Sequence, residues 1–269
     1  MRSRIFYILI LGCSLSLGGC MPSKEESPQK KEEVSLIKKN IEEAEAKQRK
    51  GLLLEARRIY KKIFPQLSNP SQIEEVKKKI EDLNIKILFS NIIDEDSFLY
   101  EVKPGDTLEK IAKSFGTTVE LLKRANSLSS DIIRVGDKLK VTKAKFSIVI
   151  DKSQNRLFLK KENEVFKTYI VSTGKNNSTP SGNFKIVTKL RNPVWFRRDI
   201  GAVVPPDSPE NVLGSRWLGL NIKGYGIHGT NKPDALGEQN TQGCIRMSNK
   251  DVEELFSIVP RGTEVTIVD

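Results

Sequence analysis

The spacing of apolar residues changes from a helical period to a strand period along this chain, which divides it into units of different fold. From about Val34 to Phe89, apolar residues recur every three or four positions, as on the buried face of a helix. From Phe146 onward they alternate with polar residues, as in strands with one buried face. We therefore expect a multidomain chain in which an α-helical unit precedes a mostly-β unit.

The N-terminus has the composition of an export signal. Two arginines precede an apolar run that ends in Leu17-Gly18-Gly19, directly before Cys20. This site resembles the bacterial lipobox, in which cleavage leaves a lipidated cysteine at the N-terminus. The resemblance implies a signal peptide at 1–19, lipidation of Cys20 and a polar tether over 20–33. Cys13 is a weaker second candidate, and an uncleaved signal anchor is the alternative.

The net charge of +11, from 45 basic and 34 acidic residues, is spread thinly along the chain. Because the excess marks no single phosphate-binding track, nucleic acid is not an expected partner. Anionic envelope polymers and lipid head groups fit a diffuse positive charge better. Together with the export signal, this predicts a membrane-anchored lipoprotein of the cell envelope that faces the periplasm or the extracytoplasmic wall.

Residues 34–90 form the expected helical unit. Gly51 and the segment 65–70, which begins and ends with proline, divide it into about three helices. The unit has a partial likeness to a tetratricopeptide repeat, but one such repeat cannot bury its apolar face alone. We therefore interpret it as an α-helical spacer or docking hairpin, and we expect Asp94-Glu95-Asp96 to form the junction with the next unit.

The pattern over 98–142 predicts a βααβ unit. A strand is expected around Leu99 to Val102, followed by a helix that Asp106 caps. A second helix begins at Thr118, and the chain returns as a strand over 138–141.

This unit resembles the lysin-motif (LysM) family along its whole length. The shared motifs are Y-x-V-x-x-G-D-T-L, I-A-x-x-F-G-T-T and G-x-x-L-x-V. The family binds glycans that contain N-acetylglucosamine, so the resemblance implies attachment to peptidoglycan glycan strands. The expected sugar contacts are the turn of Gly105, Asp106 and Thr107 and the loop around 131–133.

Residues 145–269 predict a mostly antiparallel β domain, a β-sandwich with one packed helix. Residues 179–182, Thr-Pro-Ser-Gly, form a turn between two strands. The proline-rich excursion over 191–214 is long enough to act as a lid or a substrate wall. The helix is expected from Ser248 to Val259.

His228 is the only histidine of the chain, and Cys244 follows it by sixteen positions. If Cys20 is lipidated, Cys244 is the one thiol left in the body, so an internal disulfide is excluded by count. A thiol attacks carbonyl carbon as the thiolate, and a neighbouring imidazole can accept its proton and return it to a leaving amine. Gly243 permits a sharp turn, so that its amide and that of Cys244 are candidate donors to an oxyanion. Each residue type is more often structural than catalytic, but their joint placement between glycines favours catalysis.

The same region resembles the L,D-transpeptidase catalytic-domain family. The motifs are S-T-G-K, T-P-S-G-N-F, L-G-S-R-W-L-G-L, I-H-G-T and T-x-G-C-I-R-M, in the family order. The resemblance implies that Cys244 attacks the third residue of a donor stem peptide of peptidoglycan, with His228 as the base and then the acid. An acceptor amine then resolves the thioester and gives a 3-3 crosslink. Gly229 is the candidate carbonyl that orients the imidazole.

The resemblance also implies supporting roles. Arg246 is expected to hold substrate or brace the site, and Thr241 to support the loop. Trp195, Trp217 and Tyr225 are expected to pack, and one of them to line the peptide groove. Many members of the family carry histidine where this chain has Gln242, which alters substrate positioning more than the base itself.

Several alternatives remain open at this point. Cell-wall cysteine peptidases place the nucleophile before its histidine, and sortases place Cys and Arg farther apart. A wall-binding lipoprotein without catalysis is possible, and so is the same thioester chemistry used for carboxypeptidase action, exchange of the terminal D-amino acid or attachment of a protein to the wall. No cofactor is expected, and one histidine without a cysteine pair does not supply a usual zinc site.

Overall fold

The computed structural model describes residues 28–197, 200–206 and 208–269. The predicted signal peptide and Cys20 lie outside these residues. Three helices come first, α1 (Pro28–Arg49), α2 (Leu53–Ile63) and α3 (Pro70–Leu88). The predicted tether is too long at its C-terminal end, because α1 already begins at Pro28. Proline suits a first helical turn, where its missing N–H has no intrahelical partner to lose.

The three helices share one apolar core, as the helical spacing predicts. Its fully buried members are Ala44, Ala56, Tyr60, Ile63 and Leu83. The predicted breaks are confirmed. Gly51 lies between α1 and α2 with φ +76°, and Asn69 caps α3 by accepting hydrogen bonds from the Ser71 and Gln72 amides. Within the described residues, no helix is both long enough and apolar enough to cross a bilayer.

The next unit has the predicted βααβ order, with β1 (Ser97–Glu101), α4 (Leu108–Phe115), α5 (Val119–Ala125) and β2 (Lys138–Thr142). The two strands pair antiparallel. The cap of α4 is Thr107, whose hydroxyl accepts from the Lys110 amide, and the prediction of Asp106 is wrong by one residue. The Asp106 carboxylate instead accepts from the Lys103 amide and the Tyr100 hydroxyl.

The C-terminal unit contains twelve of the fourteen strands of the described chain. Its one long helix, α6 (Asn249–Ile258), has Ser248 as N-cap, close to the prediction. The predicted excursion over 191–214 contains a short hairpin, β8–β9, which the sequence pattern did not reveal. The strands are β3 (Phe146–Asp151), β4 (Arg156–Lys161), β5 (Glu164–Ile170), β6 (Thr173–Gly174), β7 (Gly182–Arg191), β8 (Trp195–Arg197), β9 (Ala202–Val204), β10 (Arg216–Leu220), β11 (Gly226–His228), β12 (Gln239–Thr241), β13 (Ile245–Arg246) and β14 (Glu264–Val268).

Eight of these strands form one sheet in the order β13-β11-β10-β7-β14-β3-β4-β5. Neighbours are antiparallel except for β11–β13 and β14–β3. The mostly-β class with one packed helix is confirmed, and a single curled sheet provides both faces of the expected sandwich. Buried residues from both halves of the sheet meet α6 in one core, including Ile148, Leu159, Leu218, Ile227 and Leu255.

The helical unit is docked on the sheet rather than held apart from it. Strand β5 is an edge of the sheet, and α3 lies along it. Asn84 Nδ2 donates to the Phe166 carbonyl at 3.0 Å, and Lys167 Nζ lies 2.7 Å from Asp82 Oδ1. Of the two interpretations, a docking hairpin therefore fits better than a spacer, and its partner is within the chain. Covering an edge strand prevents it from pairing with other chains.

The βααβ unit is docked as well. Lys140, only 2% exposed, donates from Nζ to the Ile87 carbonyl at 2.7 Å and the Ser90 carbonyl at 2.9 Å, at the C-terminal end of α3. A cation is favourable there because the last carbonyls of a helix have no intrahelical donor. On the other side, the Thr118 hydroxyl donates to the Ser257 carbonyl of α6. The three units therefore pack as one assembly.

We expect the Lys140→Met variant to lower the free energy of unfolding by about 1–3 kcal/mol, because two buried carbonyls lose their donor. Urea unfolding followed by circular dichroism measures the effect. Lys138→Met, at an exposed position of the same strand, is the matched control and should change the value by less than about 0.5 kcal/mol. Equal effects of the two variants would show that the Lys140 contacts contribute nothing.

Candidate active site

The two predicted catalytic residues meet where two short parallel strands pair. Ile227 of β11 lies opposite Ile245 of β13, and His228 lies opposite Arg246. Paired residues of neighbouring strands point to the same face of a sheet, so the imidazole and the guanidinium share a face. Cys244 directly precedes β13. Arg246 interacts electrostatically with both His228 and the Cys244 thiol, so all three groups belong to one site.

The imidazole of His228 has a defined tautomer. Its Nδ1 lies 2.7 Å from the Gly229 carbonyl oxygen, the contact that the family resemblance implied. Because a carbonyl oxygen only accepts hydrogen bonds, Nδ1 must carry the proton of the neutral ring. Nε2 then carries the lone pair and is the nitrogen that can accept a proton.

The imidazole is also held neutral. His228 is 4% exposed, and burial lowers its pKa to about 4, with a smaller contribution in the same direction from the positive charge of Arg246. The Gly229 carbonyl acts against this lowering. At neutral pH the ring is therefore uncharged and can accept a proton as a base.

Trp217 packs on His228 rather than beside it. The two rings are stacked, with centroids 5.8 Å apart and planes 20° apart, because Trp217 and His228 are a cross-strand pair of β10 and β11. Gly226 makes room for the indole: a Cβ at this position would lie 2.6 Å from Trp217 Cζ2. Trp217 packs in the sheet and also lines the cleft described next, as do Trp195 and Tyr225.

Cys244 opens into a cleft of about 660 Å³. The thiol is half-buried, and Sγ lies 3.5 Å from the Gly224 carbonyl oxygen. Residues 193–197, which include β8, line one wall of the cleft, so part of the predicted excursion over 191–214 faces it. The other lining residues include Lys223, Tyr225, Gln242 and Leu213.

Gly243 adopts a backbone conformation that a side chain would disturb. Its φ is +123°, and a Cβ would lie 2.7 Å from Tyr225 Cε1. Its amide, however, donates to the Thr241 hydroxyl at 3.1 Å, and that hydroxyl donates to the Cys244 carbonyl at 2.7 Å. The expectation that the Gly243 amide faces the cleft is therefore corrected, because the Thr241 hydroxyl takes it. The supporting role expected of Thr241 agrees with these bonds.

Thr179 also belongs to this site, although the sequence indicates only that it lies in a turn and in the shared motif T-P-S-G-N-F. It is fully buried, and its hydroxyl donates to the Gly243 carbonyl at 2.8 Å. The nearby S-T-G-K motif also supports the catalytic segment. Ser172 exchanges backbone hydrogen bonds of 2.8 and 2.9 Å with Arg246, and β6 pairs with β12. The motifs S-T-G-K and T-P-S-G-N-F indicate that these residues matter to the family, but they do not indicate which groups the residues contact.

The backbone of Arg246 is fixed by its two hydrogen bonds to Ser172, and its side chain is half-buried. Burial lowers its pKa, and the Cys244 thiol opposes that shift. Its Nε is buried and has no hydrogen-bond partner among the described residues. A buried donor without a partner is costly, so an acceptor supplied by a bound molecule would stabilise this position.

The predicted glycan-contact residues lie together at one turn of the βααβ unit. Gly105 has φ +81°, and the side chains of Asp106 and Thr107 are occupied with holding the turn. Val102 before this turn exchanges backbone hydrogen bonds with Gly136 and Asp137. The turn and the end of the 127–137 loop therefore lie side by side.

One group of acidic side chains among the described residues is compact enough to hold a cation, and it is Asp94, Glu95 and Asp96. Arg57 donates to both oxygens of Glu95 at 2.9 and 2.8 Å and lies 3.7 Å from Asp94. Lys161 pairs with Asp96. These cations neutralise the predicted junction, and the cluster is better explained as the contact that closes the helical unit onto β4.

Comparison with known proteins gives the family. A model of the L,D-transpeptidase catalytic domain matches residues 145–267, and a LysM domain model matches residues 100–142. An L,D-transpeptidase named YkuD in Bacillus licheniformis is 37% identical over 177 residues, which is 63% of this chain and 98% of that protein. The chain belongs to the L,D-transpeptidase family. The YkuD of Bacillus subtilis is also 37% identical, over 62% of this chain and 97% of that protein.

Both family resemblances drawn from the sequence are thus confirmed. Among solved structures, an L,D-transpeptidase from Mycobacterium smegmatis is 23% identical with a TM-score of 0.40. The match covers 51% of this chain and 65% of that one, so the chain spans just under two thirds of the solved protein.

We expect the single histidine of this chain to titrate at about pH 4 and the Trp217→Ala variant to raise its pKa toward the ordinary value of about 6.5. Removing the indole admits water, which stabilises the charged ring. The imidazole would then become protonated at higher pH than in the parent chain. NMR titration of the ring measures this directly, since the chain has no other histidine. Trp217→Phe, which keeps an aromatic ring, is the matched control, and an unchanged midpoint in Trp217→Ala would contradict the role of the stack.

Proposed function

We propose that this chain is a peptidoglycan L,D-transpeptidase in which Cys244 is the nucleophile and His228 the base. The observation that carries the proposal is the thiol at the mouth of a 660 Å³ cleft, in one site with a neutral imidazole whose Nε2 is available to take a proton. A cleft of this size accommodates several residues of a stem peptide. Family membership supports the reaction class.

In the first half-reaction, Nε2 of His228 takes the proton of the Cys244 thiol as sulfur attacks the carbonyl carbon of the third residue of a donor stem. The tetrahedral intermediate collapses with cleavage of the C–N bond to the terminal D-alanine. The imidazolium returns the proton to the departing amine. The products are a thioester on Cys244 and free D-alanine, and His228 is neutral again.

In the second half-reaction, the side-chain amine of a diaminoacid on an acceptor stem attacks the thioester carbonyl. A C–N bond forms, the C–S bond breaks, and the amine proton passes through His228 to the leaving sulfur. The product is a 3-3 crosslink between two stems. The low pKa of His228 suits this step, since the imidazolium readily gives up its proton.

Arg246 is proposed to bind a carboxylate or carbonyl of the substrate. Its buried Nε lacks a partner among the described residues, and a guanidinium binds planar acceptors through two parallel hydrogen bonds. Lys223 also lines the cleft and adds positive charge. Stem peptides end in carboxylates, so this charge favours their binding. Tyr225 is proposed to contact the peptide, because its ring lies between the cleft and Gly243.

The LysM unit is proposed to bind the glycan strand. The turn of Gly105, Asp106 and Thr107 lies beside the end of the 127–137 loop, where Ile132 and Val135 are 78% and 66% exposed. Sugar rings pack their apolar faces on such side chains. The partners are then glycan strands and stem peptides of the same polymer, and Cys20, if lipidated as the lipobox resemblance implies, anchors the chain to a membrane of the envelope.

The Cys244→Ala variant should release no D-alanine and form no 3-3 dimer from purified disaccharide tetrapeptide, because no thioester can form. Mass spectrometry of the products measures both. Binding of the variant to insoluble peptidoglycan should persist, which shows that the LysM unit is intact. The parent chain should also form a one-to-one covalent adduct with a carbapenem at Cys244.

The same assay separates the alternatives. Free tripeptide would indicate carboxypeptidase action, and incorporation of an added D-amino acid would indicate exchange. Attachment of a protein amine would be detected as a shift in that protein's mass. If the 3-3 dimer yield is the same with and without the Cys244 sulfur, the proposed nucleophile is wrong.

A further inference from the structure

The peptide unit between Gly243 and Cys244 is held from one side by a residue that the proposed mechanism has not used. The Gly243 carbonyl accepts the hydroxyl hydrogen of Thr179 at 2.8 Å. Thr179 is 0% exposed, and it lies 64 residues before Gly243 in the T-P-S-G-N-F motif. This contact joins an upstream motif of the family to the nucleophile segment.

The direction of the hydroxyl is determined by its neighbours. The Gly174 amide donates to Thr179 Oγ1 at 2.8 Å, so the hydroxyl accepts there and its own hydrogen is directed to Gly243. The backbone of Thr179 is fixed as well. Lys152, only 2% exposed, donates from Nζ to the Thr179 carbonyl at 3.0 Å and to the Ser181 hydroxyl at 2.8 Å.

A trans peptide is planar, and its C=O and N–H point in opposite directions. The structure has no cis peptide bond among the described residues. Since the Gly243 carbonyl points into the protein toward Thr179, the amide of Cys244 points to the opposite side of the same plane. Cys244 lines the cleft, so that side is the one from which a substrate carbonyl approaches.

The Gly243 amide donates to the Thr241 hydroxyl, so the amide whose direction Thr179 sets through this peptide plane is that of Cys244. Donors to a developing oxyanion act by being oriented in advance, and losing one donor costs about 10²–10³-fold in rate. Resting on the function proposed above, we infer that Thr179 is a positioning residue that aims the Cys244 amide at the oxyanion of the tetrahedral intermediate. It touches no substrate and acts through the Gly243 carbonyl.

The test compares two reactions of the Cys244 thiol in the full chain. Acylation by a disaccharide tetrapeptide passes through an oxyanion, whereas alkylation by iodoacetamide is a displacement at carbon without one. Both rates are read at the Cys244 peptide by mass spectrometry. An unfolded chain is still alkylated but is not acylated, so both rates are measured under conditions in which circular dichroism shows each variant to be fully folded.

In Thr179→Val, which keeps the shape and removes the hydroxyl, we expect acylation to slow by about 10- to 100-fold, with an alkylation rate and a KM within about twofold of the parent values. Thr179→Ser, which restores the hydroxyl, should recover most of the acylation rate. Thr263→Val is the matched control, because Thr263 is also buried and its hydroxyl also donates to a backbone carbonyl, that of Pro260. It should leave both rates unchanged.

Three outcomes would overturn the inference. They are an unchanged acylation rate in Thr179→Val, an equal fall of both rates, which would indicate loss of the segment's structure, and failure of Thr179→Ser to recover. A failure of the proposed function is distinguishable, because then the parent chain itself would not be acylated while its thiol is still alkylated.

Discussion

The pairing of β11 with β13 is the constraint on which the site depends. These strands are three and two residues long, and they are parallel neighbours at one edge of an otherwise mostly antiparallel sheet. Parallel pairing needs a long crossover, which here is the segment between His228 and Cys244. That segment must return the chain to the same end of the sheet. His228 and Cys244, sixteen residues apart in sequence, are therefore brought to the same face of the sheet.

Much of the fold was predictable because it follows from residue spacing. The alternation over β3 to β5, the stripe of α6 and the breaks at Gly51 and Pro70 were all found where expected. The β8–β9 hairpin was not, because proline and exposed apolar residues obscure its alternation. The cap of α4 was misplaced by one position, since Asp106 and Thr107 are both good caps and their further contacts decided between them.

The candidate site, like the fold, could be predicted only in part from the sequence. His228 and Cys244 could be selected because the chain offers one histidine and so few thiols. The direction of the Gly243 amide could not, because it depends on the hydroxyls of Thr241 and Thr179, and Thr179 is 64 residues away. Nor could the neutrality of the imidazole be read from the sequence, since it results from burial under Trp217 and from the charge of Arg246. The sequence identifies the reactive side chains directly, whereas the direction of their hydrogen-bonding groups depends on contacts that form only in the folded chain.

The helix α3 along strand β5 has a consequence for the autonomy of the catalytic domain. Without α3, the Phe166 carbonyl and the neighbouring backbone groups of β5 would form an exposed strand edge, which could pair with the same edge of a second copy. The helix α3 therefore protects this strand edge from within the same chain. If this β domain were attached to a different anchor, it would need α3 or another element that covers β5.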